Sequence, residues 1–291
     1  MQNIHIPVLV KEVIDVLEPK KGENYLDVTA GFGGHARKIL NLTSELETSV
    51  LIDRDKTSIE FLTKEYLNNP IEIIKNDFYH ASLLLLKELR HFDIIFADLG
   101  ISSLHINDQD RGFSFRHNSE LDMRMDQDQK IDAKYILNTY SEKKLREIIK
   151  NYGDEPKAGY IAREIVLNRP INTTDDLAAI CYRAWPGFRS KVNPATRTFQ
   201  AIRIEVNQEL KLIEDSLPIW IKLLNPGGRL AIITFHSLED RLVKNFFNSH
   251  AGNRYDDELK FLVKKPIIPD QNELNNNPRA RSAKLRAVVK K

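Results

Sequence analysis

The sequence predicts a doubly wound α/β domain with a mostly parallel sheet, built from both ends of the chain and interrupted by an inserted helical domain. Over residues 1–100, short apolar runs alternate with amphipathic stretches, a rhythm typical of βαβ units. That rhythm stops at about residue 105 and resumes at about residue 196. We therefore predict a discontinuous first domain over 1–104 and 196–291, and an inserted helical domain over 105–195.

The elements of the first domain follow from apolar runs and turn residues. Strands are predicted at Tyr25–Thr29, Ser49–Ile52, Ile71–Lys75, Asp93–Ala97, Arg229–Thr234 and Ser282–Lys290. Helices are predicted at His35–Leu42, Lys56–Asn68, Ala81–Leu89 and Leu238–Asn248. Another helix should run from about Thr196 to a break near Pro218, because proline interrupts a helix. The run Asn275–Asn277 is predicted to be a loop.

The inserted segment shows helical periods only. Examples are Ala133–Leu137, Glu142–Lys150 and Thr174–Arg183.

Composition indicates a folded protein without disulfides. Hydrophobic residues make up 42% of the 291 and charged residues 29%, as in globular domains. The single cysteine, Cys181, excludes a disulfide framework and a cysteine-built zinc site. No run approaches the ~18 apolar residues of a membrane span. We expect a cytoplasmic protein with no membrane partner.

The charge is nearly balanced, at +2, but one end of the chain is basic. Between Pro278 and Lys291 there is no acidic residue, and the basic residues are Arg279, Arg281, Lys284, Arg286, Lys290 and Lys291. Such a segment either contacts phosphates or is a solvated terminus, and charge alone does not decide between them.

A glycine-rich turn follows the first strand, in the segment Asp27-Val-Thr-Ala-Gly-Phe-Gly-Gly-His-Ala36. Glycines allow the backbone to approach a ligand closely at the start of the next helix. Gly31, Gly33 and Ala36 also satisfy the loose dinucleotide pattern. Asp53 comes 22 residues after Gly31, at the end of the second strand, where a carboxylate can accept both hydroxyls of a ribose. The pair predicts an adenine-nucleoside site, in a nicotinamide enzyme or in a methyltransferase.

Asp98 favours the second of these classes. It follows the fourth strand directly, in Asp98-Leu-Gly-Ile-Ser-Ser103. Methyl transfer to the amine of a nucleobase needs a hydrogen-bond acceptor beside the nitrogen, which makes its lone pair available. We predict that Asp98 and the backbone carbonyls of Leu99 and Gly100 supply it. The alternative is that Asp98 only caps a turn toward Ser102 or Ser103.

Candidate substrate contacts lie further along the chain. His236 and Arg241 follow the fifth strand, where Ser237 and Asp240 have the spacing of a capping box. Arg197 begins a helix on which it either holds a phosphate backbone or belongs to a solvated face.

Aromatic residues offer a second kind of contact. Phe113 and Phe115 are positioned either to stack on an extruded base or to be buried in the inserted domain.

Taken together, these segments resemble one family, the bacterial small-subunit ribosomal RNA cytosine-N4 methyltransferases, or MraW family. The matching pieces are His5-Ile-Pro-Val-Leu, Gly31-Phe-Gly-Gly-His, Asp53-Arg-Asp, Asp98-Leu-Gly-Ile-Ser-Ser, Arg111-Gly-Phe-Ser-Phe, Leu121-Asp-Met-Arg-Met-Asp, Asn193-Pro-Ala-Thr-Arg-Thr-Phe-Gln, Phe235-His-Ser-Leu-Glu-Asp-Arg and Asn277-Pro-Arg-Ala-Arg-Ser. They span nearly the whole chain in the family's order, and the combination is very specific.

The resemblance implies a Rossmann-like class I methyltransferase domain and N4-methylation of a cytidine in the decoding centre of 16S ribosomal RNA, in the small ribosomal subunit. S-adenosyl-L-methionine is the implied cofactor. Carried over residue by residue, its contacts are Gly33, Gly34, His35, Asp53, Phe78 and Asp98. A further family contact falls on His105, where the family commonly has glutamine, so this contact is in doubt. Arg197, His236, Arg241, Arg279 and Arg281 are the candidate RNA contacts.

We predict direct in-line transfer without a covalent enzyme intermediate and without a metal. Three alternatives stay open: a DNA amino-methyltransferase, a nicotinamide dehydrogenase and a non-catalytic ribosome-assembly factor that binds RNA. The oligomeric state is also open, with a homodimer among the options.

Overall fold

The computed structural model describes residues 7–101, 108–187, 193–252 and 257–291. The chain divides into two compact units, one comprising Met1–Gly100 with Leu210–Lys291 and the other comprising Ile101–Glu209. The helix that begins at Thr196 belongs to the second unit, although the sequence prediction assigned it to the first domain. The Gln200 side chain, for example, donates to the carbonyl of Tyr152.

The first unit is built on a seven-stranded sheet of order β3-β2-β1-β4-β5-β7-β6. The strands are β1 (Tyr25–Asp27), β2 (Val50–Asp53), β3 (Glu72–Lys75), β4 (Phe92–Asp98), β5 (Leu224–Thr234), β6 (Leu259–Phe261) and β7 (Lys284–Lys290). Strands β1 to β5 pair in parallel, and β7 is antiparallel to both of its neighbours. The predicted α/β class is confirmed. The strand order reverses between β1 and β4, which is where ligands bind in open α/β sheets.

The helices alternate with the strands at both ends of the chain. In chain order they are α1 (Val10–Leu17), α2 (Gly34–Thr43), α3 (Lys56–Glu65), α4 (Phe78–Lys87), α5 (Ala133–Thr139), α6 (Glu142–Gly153), α7 (Ala158–Leu167), α8 (Thr174–Ala184), α9 (Thr196–Asn207), α10 (Glu209–Leu223), α11 (Ser237–His250) and α12 (Gln271–Asn276). Among the described residues, no helix is both long enough and apolar enough to span a lipid bilayer.

Both faces of the sheet are buried, as expected for parallel strands covered by helices. Along β4, Ile95 points into one hydrophobic cluster, whereas Ile94 and Phe96 point into the cluster on the opposite face. Trp220 of α10 is completely buried in the first cluster, where its indole N–H donates to Ser82 Oγ at 3.0 Å. This two-sided burial fixes the ends of β1, β2 and β4, which carry the predicted site.

The second unit has its own core of helices α5 to α9. Asn207 crosslinks this core, because its side chain donates to Met123 O and accepts from Met125 N, both at 2.8 Å. Phe113 is buried here, and Phe115 packs edge-to-face on Phe199 at 5.2 Å between ring centroids. Of the two roles open to these phenylalanines, packing is the one observed within this unit.

Two local expectations were wrong. The break near Pro218 lies instead at Gln208, whose φ of 51° ends α9, and Pro218 sits inside α10. Buried neighbours such as Leu217 and Trp220 hold α10 together despite the hydrogen bond that proline removes. The predicted loop at Asn275–Asn277 overlaps α12, which Asp270 caps.

The basic end of the chain is not a loose terminus, because the strand predicted at Ser282–Lys290 is present as β7 (Lys284–Lys290). Lys290 Nζ donates to two backbone carbonyls, of Ile221 and Leu224, and Lys284 and Arg286 both bind Asp240.

Candidate functional site

The glycine turn after β1 leads directly into α2. Gly33 is the N-cap residue with a φ of 69°, and its N–H donates to Ala30 O at 2.8 Å. A Cβ on Gly34 would lie only 2.8 Å from Pro7 Cγ. Gly33 has no side chain with which to cap α2, and the N-terminus of a helix favours an anionic ligand.

Asp53, at the end of β2, is oriented by the same turn. Its Oδ2 accepts from Gly31 N and its Oδ1 accepts from Asp55 N, both at 2.8 Å. The half-buried Asp53 carboxylate is thus fixed at the end of β2, where it is a candidate acceptor for the hydroxyls of a ribose.

Asp98 is the last residue of β4, and two backbone N–H groups tie this point to the segments on either side of the strand. Its N–H donates to Thr29 Oγ1 at 2.6 Å, and the next N–H, of Leu99, donates to Ile233 O at 2.9 Å. Gly100 lies against the ring of Phe235. Ser102 and Ser103, toward which a turn cap was considered, lie outside the described residues.

The two carboxylate oxygens of Asp98 have different surroundings. Oδ2 lies 3.7 Å from His35 Nδ1. Oδ1 is buried, with no hydrogen-bond partner among the described residues. A buried carboxylate oxygen without a donor is costly, and such an atom is a candidate ligand contact.

Burial also controls the protonation of this end of the sheet. It raises the pKa of Asp98 well above its usual range, and the nearby carboxylates of Asp27 and Glu239 add to the effect. Burial raises the pKa of Asp27 to about 7, although hydrogen bonds from Tyr25 and Thr29 oppose the shift.

His35 lies in the first turn of α2 and is almost fully buried. Its Nε2 is 2.8 Å from the carbonyl oxygen of Val8, and its ring packs on Phe96 with 4.5 Å between centroids. These contacts orient Nδ1 toward Asp98.

Two further cofactor contacts were predicted, at Phe78 and at His105. Phe78 begins α4 just after β3, and only 7% of its surface is exposed, because the ring packs on Trp220 at 5.6 Å. The contact between Phe78 and the cofactor stays a prediction. His105 lies outside the described residues.

The segment after β5 corrects the predicted capping box. His236, not Ser237, is the N-cap of α11, and Glu239, not Asp240, completes the box. Glu239 Oε2 accepts from the backbone N–H groups of Phe235 and His236 at 2.7 and 3.2 Å. Asp240 instead binds two cationic side chains of β7.

The candidate RNA contacts are mostly on the surface. Arg241 is exposed on α11, and Arg279 and Arg281 are exposed in the 3₁₀ turn Pro278–Ser282 of the same unit. Arg197 is exposed on α9 in the second unit. His236 is a capping residue with only about a tenth of its side chain exposed.

No sequence pattern indicated a role for Asp27, Thr29, Tyr25 or Glu239. Asp27 and Thr29 belong to the glycine-turn segment, so their proximity to the site could be predicted from the sequence. Their contacts could not, because Tyr25 O–H donates to Asp27 Oδ2 within β1, while Thr29 reaches across to β4.

A glycine turn after β1, a carboxylate at the end of β2 and a half-buried carboxyl at the end of β4 lie at the switch point of a doubly wound sheet. Together they define a Rossmann-like protein that binds a nucleoside-containing ligand. The model of the MraW methylase family matches residues 2–291, and the chain belongs to this family.

Curated relatives agree with this assignment over the whole chain. A protein of Trichormus variabilis is 44% identical, over 99% of this chain and 92% of its own. One of Trichodesmium erythraeum is 46% identical, over 98% and 99%. One of Fusobacterium nucleatum is 43% identical, over 98% and 96%. All three are named ribosomal RNA small subunit methyltransferase H. The chain is a methyltransferase of the class that uses S-adenosylmethionine.

The residues at the switch point fit this cofactor. Gly34 packs too closely on Pro7 for a Cβ, Asp53 places a carboxylate at the end of β2, and Asp98 Oδ1 is a buried acceptor without a donor among the described residues. Acceptors of this kind suit the hydroxyls and the positive charge of the cofactor.

Proposed function

We propose that this methyltransferase modifies small-subunit ribosomal RNA, at the exocyclic N4 of a cytidine in the decoding centre. The observation that carries the proposal is Asp98, a half-buried carboxyl at the end of β4 whose buried Oδ1 lacks a donor among the described residues. Methylation of an exocyclic amine needs such an acceptor, because the nitrogen lone pair is delocalised into the base.

The chain's own groups orient the amine and remove its proton. When bound, the cofactor supplies a methyl group on a positively charged sulfur. Asp98 Oδ1 and the carbonyls of Leu99 and Gly100 accept the N4 hydrogens, so that the nitrogen becomes tetrahedral and its lone pair points along the line of transfer. Because Leu99 is anchored to β5 through Ile233, these acceptors move little during the reaction.

Nucleophilic catalysis by the protein is not part of the proposal. Burial raises the pKa of the Cys181 thiol to about 12, so this side chain is not a thiolate at neutral pH. It also belongs to the core of the second unit.

The cofactor contacts in this proposal are Gly33, Gly34, His35, Asp53, Phe78, Asp98 and His105. The amides at the start of α2 bind its amino-acid carboxylate, and Asp53 binds the ribose hydroxyls. This division follows from charge, since a helix N-terminus prefers an anion and a carboxylate prefers hydroxyl donors.

RNA contacts complete the proposal. The exposed Arg241, Arg279 and Arg281 bind phosphates, and Arg197 does so on the helical unit, which recognises the substrate. A contact by His236 would use a ring that already caps α11. A substrate in the small ribosomal subunit would place the protein in the cytoplasm, where ribosomes are assembled.

The test is transfer of labelled methyl groups to small ribosomal subunits from cells that lack this gene. We expect label in N4-methylcytidine, identified by mass spectrometry of the nucleosides, and none in duplex DNA. The Asp98→Asn variant should bind the cofactor yet lose at least 100-fold in transfer rate, the usual range for proton-accepting groups. Label on another atom, or normal transfer by Asp98→Asn, contradicts the proposal.

A further inference from the structure

The hydrogen bond between His35 and Val8 fixes which imidazole nitrogen carries a proton. Nε2 lies 2.8 Å from the carbonyl oxygen of Val8, and a carbonyl can only accept, so Nε2 is the donor. In the neutral ring, Nδ1 then carries a lone pair. That lone pair faces Asp98 Oδ2 across 3.7 Å.

Two lone pairs facing each other repel unless a proton lies between them or on one of them. If Asp98 is protonated or His35 is an imidazolium, the contact becomes attractive. Among the described residues, His35 is the basic side chain that pairs with Asp98, whereas the other charged groups that face it are the carboxyls of Asp27 and Glu239. The geometry therefore favours one proton on the pair.

We propose that Asp98 and His35 together hold one proton in the ligand-free protein, release it when a positively charged sulfonium ligand binds, and regain one as the ligand sulfur becomes neutral. This inference rests on the proposed function, because it treats Asp98 as the acceptor of the N4 proton. In it, Asp98 contacts the reacting nitrogen, and His35 is a positioning residue.

The step balances in atoms and charge. The nitrogen lone pair forms the new N–C bond, the electron pair of the broken C–S bond stays on sulfur, and the N–H pair stays on nitrogen. The released proton goes to Asp98 and is shared with His35 Nδ1. Before transfer the site holds the positive sulfonium and the negative Asp98 carboxylate. After transfer both groups are uncharged, so the site is neutral at both stages. Neutrality matters because uncompensated charge is costly in a buried site.

Burial supports the same conclusion, since it raises the pKa of Asp98, and the nearby Asp27 and Glu239 carboxyls raise it further. A ligand with a positive charge reverses that effect, because it stabilises the carboxylate. A ligand of the same shape with a neutral sulfur does not.

S-adenosylmethionine and S-adenosylhomocysteine form the matched pair of probes. Both carry the same amino acid and nucleoside, so their difference isolates the methyl group and its charge. Titration calorimetry at pH 7 in two buffers of different ionisation enthalpy gives the number of protons released on binding. We expect S-adenosylmethionine to release up to about one more proton than S-adenosylhomocysteine. At pH values where the free pair is protonated, the affinity of S-adenosylmethionine relative to that of S-adenosylhomocysteine should rise with pH, by up to about tenfold per pH unit.

Three variants locate the proton. Asp98→Asn should abolish the difference between the two ligands. His35→Gln can keep the donor to Val8 but removes the acceptor at Nδ1, and should shift the pH at which the difference appears. Asp93→Asn is the matched control, because it makes the same change at the other end of β4, and it should leave the difference intact.

Equal proton release by the two ligands in the unaltered protein overturns the proposal, and this measurement needs no variant to fold. So does a difference that persists in Asp98→Asn. If methyl transfer to RNA occurs with equal proton release, the proton pair is refuted and the proposed function stands. If proton release differs but no RNA is methylated, the proposed function is refuted and the proton pair stands.

Discussion

Replacement of Asp27 by asparagine should stabilise the protein, and more so at higher pH. Asp27 is 1% exposed, and its two oxygens accept from Tyr25 O–H at 2.7 Å and from Thr29 N–H at 3.1 Å. An asparagine can keep both contacts, since its oxygen accepts from Thr29 and its amide group donates to the Tyr25 oxygen. The substitution thus removes a charge with little change in packing.

The magnitude follows from the pKa of Asp27, which burial raises from 3.8 to about 7. The folded protein therefore holds this proton more tightly than the unfolded chain does. Folding free energy is lost as the pH rises from about 4 to about 7, and the loss levels off above that range. Three pKa units correspond to about 4 kcal/mol, of which about 2.5 kcal/mol falls between pH 5 and pH 7.5.

The assay is urea unfolding at several pH values from 5 to 8, followed by the fluorescence of Trp220, which reports on the first unit. The protein has two tryptophans, so both proteins compared should carry Trp185→Phe. The difference in unfolding free energy between Asp27→Asn and its parent should grow by about 2.5 kcal/mol from pH 5 to pH 7.5. A difference that does not depend on pH refutes the reasoning.

Tyr25→Phe provides a control on direction. It removes the O–H that favours the Asp27 carboxylate, so the pKa of Asp27 should rise and the pH-dependent loss should extend to higher pH. A smaller pH dependence in this variant would contradict the assigned hydrogen bond.

Three further predictions concern the neighbourhood of the site. Thr29→Val leaves the Asp98 N–H without its acceptor and should destabilise the protein by roughly 1–3 kcal/mol, whereas Thr29→Ser should be nearly neutral in urea unfolding. Asp240→Asn should cost about 2 kcal/mol at pH 7, because hydrogen bonds from two cations are weakened. These cations lower the pKa of Asp240, so its contribution should be present above about pH 4 and disappear as the pH falls through the lower, folded-state value. Arg281→Ala should reduce the salt dependence of RNA binding by about one phosphate contact, measured by fluorescence anisotropy, and the exposed Lys64→Ala should not.

Residues that follow strand ends were predictable, and contacts across strands were not. Asp53 and Asp98 stand immediately after apolar runs, and parallel strands bring such positions to one edge of the sheet. The partners of Asp98 depend on register instead, since Thr29 lies beyond β1 and reaches β4 only because Asp27 pairs with Phe96. A linear pattern carries no information on that register.

Helix ends were predicted poorly where the deciding residue was unusual. The end of α9 depends on Gln208 in a left-handed conformation that glycine more often adopts. The start of α11 depends on a histidine as N-cap, in place of the adjacent serine that the capping preference favours.

Thr29 makes the glycine turn and the acceptor after β4 parts of one structure. Its N–H donates to Asp27, and its hydroxyl oxygen accepts from Asp98 N–H, so one residue ties the end of β1 to the end of β4. A displacement of the turn on ligand binding should therefore also move Asp98. The charge of Asp27 should likewise change the pKa of Asp98. The two carboxyls lie at neighbouring strand ends, and a charge on Asp27 raises the pKa of Asp98, so a site that needs Asp98 ionised benefits from a protonated Asp27. A protonated Asp27 thus leaves Asp98 as the only one of these two carboxyls that is negatively charged when a cationic ligand is bound.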